Sequence, residues 1–311
     1  MKTKILKLKF SSNVHFGDGG LTKAQSTFRA DTLYSALCIE ALGQGSLEKL
    51  KELCEGRKVQ ISDALPFIKD KFYVPKPMIH VEIKNDSDEG NSVKKKAVKA
   101  LKYIPIDQFK KYLAGEMDVI EEEKYFHDGF AKSLLTHKVS ISRGNGENKL
   151  YAVAGYRYRE DSGLYVLVAY EEEKDFQFMK ELFDSLSYTG IGGKVSVGYG
   201  RFEVEEANLP KEFKDLFNIE SYEQVMTLSV SLPKDEELNV ALEDAGYTLV
   251  KRGGFIASTN YADAYHKKND LYMIEAGASF KQKFAGDIYD VSAGGKHSVY
   301  RYGIPFFMGV K

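Results

Sequence analysis

The segment Tyr188–Phe202, YTGIGGKVSVGYGRF, constrains this chain more than any other, because five of its residues are glycine, at 190, 192, 193, 198 and 200. A backbone so poor in side chains can turn tightly and lets a second backbone or a phosphate approach closely. Gly192 and Gly193 fall where a turn is expected after a helix-like segment. Gly198 and Gly200 lie two apart in the expected strand Lys194–Val204, so they share one face and form a groove floor rather than a turn. Lys194, Tyr199 and Arg201 stand among them. The spacing matches neither the dinucleotide fingerprint nor the ATP-binding loop. Two readings fit: a seat for a phosphate backbone, or a glycine-rich hairpin needed for packing alone.

At 311 residues the chain is long for one core and predicts two domains. Its 20 tyrosines and 19 phenylalanines, with no Trp, suit sheets and polar interfaces and can also stack bases. A net charge of -1 excludes a uniformly basic nucleic-acid binder and leaves room only for local basic patches. Cys38 and Cys54 form no CxxC pair and read as reduced, structural residues of a cytoplasmic protein. MKTKILKLKF lacks a sustained apolar core, and no apolar run approaches the roughly 18 residues of a membrane span, so no membrane association is expected.

Leu6, Leu8 and Phe10 alternate with Lys7 and Lys9, a strand with one buried face. A polar loop with HFGDGG follows, then a helix over 28–42, with Ser26 or Thr27 as its cap, and a short helix over 46–54. Residues 65–74 read as strand, and Pro75 and Pro77 forbid a central strand beyond it. Residues 84–100 form a polar insertion expected to be mobile, and 94–111 carry seven lysines against Asp107 alone, either a solvated face or a phosphate-contacting arm. A short helix over 106–113 precedes an expected acidic turn at Glu121–Glu123. Strands over 139–143 and 150–155 flank a hairpin loop, 163–170 is apolar on both faces and so central, and 176–186 is a helix leading into the glycines.

This order fits an α+β chain whose first domain, residues 1–210, is a ferredoxin-like βαββαβ (RRM-like) unit with an insertion over about 75–135. After a boundary between 205 and 224, residues 221–311 fit a second such domain, reduced in helix, with its own glycine-containing loops and the tail YRYGIPFFMGV.

The six histidines show no HxH or HExxH spacing, so no metal and no cofactor are expected, and no GxSxG elbow presents a serine. His15 is the exception: in a loop before Phe16 and Gly17 it suits either a structural role or the general acid or base of a metal-free ribonuclease. Nucleic-acid features are diffuse. Lys23 and Arg29 flank the first helix, and Arg143, Arg157, Arg159, Lys194 and Arg201 interleave with Tyr151, Tyr156, Tyr158 and Tyr199. Cross-strand packing is the other use of those tyrosines.

KLKF…VHFGDGG…STFRADTLYSALC, TGIGGKVSVGYGRF and YRYGIPFFMGV together resemble the repeat-associated (RAMP) superfamily of CRISPR effector proteins. More closely, they resemble the subunit of type III-A (Csm) interference complexes that holds the 5′ tag of the CRISPR RNA. The resemblance is strongest in residues 1–42 and 188–202, and residues 75–135 match no motif.

The resemblance implies two facing ferredoxin-like domains and a noncatalytic RNA-binding ribonucleoprotein subunit of antiviral defence. Such a subunit bridges the large polymerase-like subunit and the first backbone RAMP subunit. It gives Gly190, Gly192, Gly193, Gly198 and Gly200 the glycine-loop role in RNA contact, with Lys194 and Arg201 as basic neighbours, and matches His15, Phe16, Gly17, Ser26, Thr27, Arg29 and Asp31 to the family's amino-terminal motif. The candidate RNA contacts Lys23, Tyr199 and Arg143 come from the charge and ring chemistry above. The hairpin that relatives insert near the tag corresponds either to residues 84–111 or to 143–150. A metal-independent endoribonuclease acting on repeat RNA and a purely structural assembly subunit are the alternatives.

Overall fold

The structure, a computed structural model, describes residues 1–82, 91–141, 147–258, 260–263 and 266–311, the side chains of 91–95 excepted. It is an α+β chain. Its larger sheet runs, neighbour to neighbour, Phe202–Ala207, Lys2–Phe10, Ser162–Tyr170, Leu65–Ile68, Lys71–Pro75 and Tyr103–Pro105, all antiparallel. Val59–Ile61 extends Leu65–Ile68 along the same strand, Ser162–Tyr170.

Every residue of Ser162–Tyr170 is buried, and two-sided packing is the reason. Leu164, Val166, Val168 and Tyr170 meet the helices Ala30–Gly43 and Glu173–Thr189 through Leu33, Leu37, Phe176 and Met179. Tyr165, Leu167 and Ala169 face the other layer, with Phe109, Phe213, Met226 and Phe306. An apolar run without alternation is what such a position demands.

Apart from this sheet, Ala131–Ser140 and Lys149–Tyr158 pair over ten residues as a two-stranded ribbon, longer than the expected strands. The helices also depart from expectation in instructive ways. Glu121–Glu123 is no turn: it lies in the helix Val119–Gly129, where Asp118 accepts hydrogen bonds from the N–H groups of Ile120 and Glu121. Carboxylates in a first helical turn face exposed N–H groups, so an acidic cluster is favourable there. Residues Asn91–Ala100, part of the expected mobile insertion, form a helix.

Beyond residue 221 the described chain builds a three-stranded sheet in the order Ser279–Phe280, Val225–Thr227, Phe307–Gly309. Two hairpins accompany it, Leu249–Arg252 with Leu271–Ile274 and Ile288–Asp290 with Tyr300–Tyr302. Its only described α-helix is Leu238–Ala241. The apolar core is continuous across the two halves: Val230, Met273, Tyr302 and Ile304 pack in one cluster with Leu33, Tyr34 and Leu37.

Two buried carboxylates fasten the seam. Asp31 accepts from Arg252 Nε and Nη2, both at 2.9 Å, and from Arg301 Nη1 at 2.5 Å. Burial alone would raise its pKa, but the two guanidinium groups outweigh burial and hold it below the ordinary value. Asp63 accepts the backbone N–H of Ala30 and of Val230, both at 2.8 Å. It therefore caps the helix Ala30–Gly43 from outside the local sequence, the role expected of Ser26 or Thr27. Burial pushes its carboxyl up to about 6, against the pull of those hydrogen bonds and of Arg29.

Candidate nucleic-acid interface

The glycine-rich segment leaves the helix Glu173–Thr189 at Gly190 and folds back onto residues 13–16. Gly200 N–H donates to the Asn13 carbonyl at 2.9 Å, Ile191 N–H to Gly200 at 3.0 Å, and Gly193 N–H to His15 at 2.8 Å. The expected strand Lys194–Val204 is not formed at its start: Val195–Val197 is a 3-10 turn and the strand begins at Phe202. Gly198 and Gly200 have φ of 88° and 76°, and Lys194 itself has 65°. Those left-handed conformations cannot continue a strand, so the two glycines shape a loop instead of flooring a groove.

Close approach explains the composition as much as conformation does. A Cβ on Gly200 would stand 2.1 Å from the Ile191 carbonyl oxygen, one on Gly192 would stand 2.8 Å from the His15 oxygen, and one on Gly193 would stand 2.7 Å from the His15 ring. Around Gly198 there is open space, and only its φ calls for glycine.

His15 is buried beneath this loop, and its Nδ1 lies 2.7 Å from the Ala154 carbonyl oxygen. A carbonyl can only accept, so Nδ1 donates to it, while Nε2 lies beside Gly17. Phe16 packs edge-on against Phe28, with centroids 4.8 Å apart. His15, Phe16 and Gly17 thus support the glycine loop directly, although more than 170 residues separate the two in sequence.

The two-stranded ribbon closes the other side. Lys138 and Tyr151 stand directly opposite each other in register and both reach the loop. Lys138 Nζ lies 4.5 Å from the Tyr199 ring centroid, and Lys194 Nζ lies 5.1 Å from that of Tyr151. Burial opposes ionisation of the Tyr199 hydroxyl, yet hydrogen bonds with Thr136 and Asn13 and the charge of Lys138 bring its pKa below the ordinary value. Among the described residues none of Lys23, Lys138, Lys194 and Arg201 is ion-paired with a carboxylate. Tyr199 is buried, whereas Tyr151 is half-buried, and an unneutralised cation beside that ring forms an arrangement that can take a phosphate and a base together.

The remaining expected contacts are spread out. Lys23 is exposed in the turn between Phe16–Gly17 and Ala24–Gln25, next to the ribbon, where Ala154 N–H donates to Leu21. The Ser26 carbonyl accepts from the Tyr158 hydroxyl, and Thr27 Oγ1 lies 3.0 Å from the Tyr103 hydroxyl. A cleft of about 280 Å³ opens beside Ser26 between Tyr103, Phe126 and Tyr156. Arg29 turns away to Glu275 at 2.6 Å, across the seam. Arg143 lies outside the described residues, as do the tip of the 143–150 hairpin and the start of the 84–111 insertion.

Lys138, Asn13 and Thr136 belong to the site and were not singled out from the sequence. Lys138 alternates with the apolar Val139 and Leu135, and only the pairing of the two strands shows that it faces the loop. Among the described residues no group of three or more His, Cys, Asp or Glu could hold a metal ion. No described helix is long and apolar enough to cross a membrane.

Comparison with known proteins matches residues 7–203 to the RAMP superfamily and residues 220–310 to the CRISPR Csm4 C-terminal domain. The CRISPR system Cms protein Csm4 of Mycobacterium tuberculosis is 35% identical over 310 residues, covering 100% of this chain and 98% of the relative. The protein of that name from Streptococcus thermophilus is 34% identical over 302 residues, 95% of each. Among solved structures, a chain of the Csm3-Csm4 subcomplex of the type III-A CRISPR-Cas interference complex superposes with a TM-score of 0.68 at 21% identity, covering 100% of both chains. A chain of a Csm1-Csm4 cassette bound to AMPPNP superposes with a TM-score of 0.62 at 20% identity, covering 100% of this chain and 98% of that one.

Proposed function

The chain belongs to the RAMP superfamily and within it to the Csm4 family, and from that premise we propose that it is the subunit of a type III-A CRISPR interference complex that anchors the 5′ tag of the CRISPR RNA. The carrying observation is the junction of the glycine loop, the His15–Gly17 segment and the Lys138–Tyr151 ribbon, with its unpaired cations. Backbone closeness and positive charge suit a phosphodiester chain, and the half-buried Tyr151 suits an unstacked base. The strand order of the larger sheet, with helices after its first and third core strands, supports a ferredoxin-like βαββαβ unit for residues 1–210. Residues 221–311 form the second domain in the same reading.

The role is binding and bridging, not catalysis. His15, the residue on which a ribonuclease mechanism would rest, is buried and committed to the Ala154 carbonyl through one nitrogen. Relatives occur in a Csm3-Csm4 subcomplex and in Csm1-Csm4 cassettes, which supports two protein partners here, the large polymerase-like subunit and the backbone RAMP subunit.

The test is a tagged pull-down from native cells, with sequencing of bound RNA and mapping of protein–RNA crosslinks. Short RNAs sharing a constant 5′ segment, crosslinked at residues 190–201, are the expected result. Recovery of effector subunits with no crosslink in that segment overturns the assignment of the RNA site.

A further inference from the structure

A second, larger cleft than the one beside Ser26 lies at the opposite end of the sheet from the glycine loop. It has a volume of about 630 Å³ and is open to solvent along the seam between the two halves. Thr3 and Gln60 line its sheet side, and Phe217, Phe284 and Phe307 its other wall. Thr3 and Phe10 are the start and end of one extended strand, so the cleft stands about 23 Å from the end that meets the glycine loop.

Arg57 is the unusual residue in it. Its backbone has φ of 55°, its Nη2 donates to the Gly286 carbonyl at 2.6 Å, and its Nε is buried without a partner. Among the described residues no carboxylate lies within ion-pair distance of it. A guanidinium held rigidly by carbonyl oxygens keeps its full charge and its affinity for a carboxylate. Glu237 in the same cleft is already spent: its carboxylate accepts the N–H groups of Lys234, Ala285 and Gly286 at 2.9, 2.8 and 3.1 Å. Lys283 at the rim pairs with the exposed Glu220.

We propose that this cleft seats an extended segment of a protein partner in which a carboxylate meets Arg57 while a neighbouring large apolar side chain lies against Phe217, Phe284 and Phe307. The chemistry favours a peptide over RNA, because the unpaired Arg57 stands in an aromatic cleft whose lysine, Lys283, is already neutralised. The proposal rests on the reading of the chain as a bridging subunit, and the distance from the glycine loop lets both ends be occupied at once.

The experiment co-expresses the full chain with the large subunit, the backbone subunit and guide RNA. Wild type is compared with Ala285→Trp, which fills the cleft, and with Arg57→Gln, which removes the charge but keeps a donor for Gly286. Retention of one protein subunit is expected to fall about tenfold or more in each variant, with guide RNA and the other subunit held within about twofold. A monomeric wild type in light scattering is also expected. Folded variants that keep both subunits overturn the proposal, as does RNA crosslinked to the cleft or a self-association of wild type that Ala285→Trp abolishes. Wild type that recovers neither protein subunits nor RNA would instead overturn the bridging reading beneath it.

Discussion

The Asp31 clamp and the glycine-loop site use the same kinds of side chain and put them to opposite uses. At the clamp, Arg252 and Arg301 converge on one carboxylate that is almost wholly buried, and the charges are consumed in joining the halves. At the loop, Lys138, Lys194 and Arg201 find no carboxylate among the described residues, and aromatic rings are the neighbours of the two lysines. Cations are thus structural or available according to burial and pairing, not according to residue type. Arg29 illustrates the point: expected at an RNA contact, it is ion-paired with Glu275.

The largest effect should come from breaking the clamp. Asp31→Asn leaves Arg301 and Arg252 facing each other with no counter-charge, so chemical denaturation should show a loss of about 3 to 5 kcal/mol. An effect below about 1 kcal/mol would mean that the buried guanidinium groups find water instead. Sequestering the charge at the clamp would then not be what separates the two regions.

Next come the glycines. Gly200→Ala introduces both a clash with the Ile191 carbonyl and a left-handed alanine, whereas Gly198→Ala introduces only the conformational cost, about 1 to 2 kcal/mol. RNA retention by the assembled complex should therefore collapse in the first variant and largely survive in the second. Equal retention would show that loop shape is not what RNA reads.

The buried carboxylates are sharpened by pH. The Asp63 carboxyl is raised to about 6 in the folded chain from 3.8, so the stability from its proton is fully present below 3.8 and is lost as pH rises through about 6. Asp31 has the opposite sign, since its pKa is lowered and its contribution is lost as pH falls through the folded value. Asp63→Asn should accordingly gain stability relative to wild type between pH 4 and pH 7, by up to about 3 kcal/mol, in urea titrations at each pH. A gap independent of pH would place Asp63 outside the titration.

The smallest effect concerns the open cations. Replacing Lys194 and Arg201 together with Gln should leave thermal stability nearly unchanged and reduce the salt slope of RNA binding by about 1.4. An unchanged slope would remove these two residues from the phosphate path.

Much of this was legible in local pattern. The alternation of Lys2–Phe10, the two-sided apolar run at Ser162–Tyr170 and the helix before Gly190 all follow from side-chain periodicity, which depends on near neighbours. The resemblance of the two ends and the glycine segment to RAMP proteins also lay in the sequence, and the family matches agree with it. The same pattern misled at Gly198 and Gly200, because a spacing of two suggests a strand face while their dihedral angles do not.

What the sequence alone determined is therefore the α+β class, the helices and strands with strong periodicity, and the places where a side chain is not tolerated. Only the tertiary structure decided that Asp63 caps a helix that begins far from it in sequence, that Lys138 faces the glycine loop, and that Arg29 is spent while Arg57 is not. The reason is physical: periodicity reports which face of an element is buried, whereas the state of a charge depends on partners brought from elsewhere in the chain.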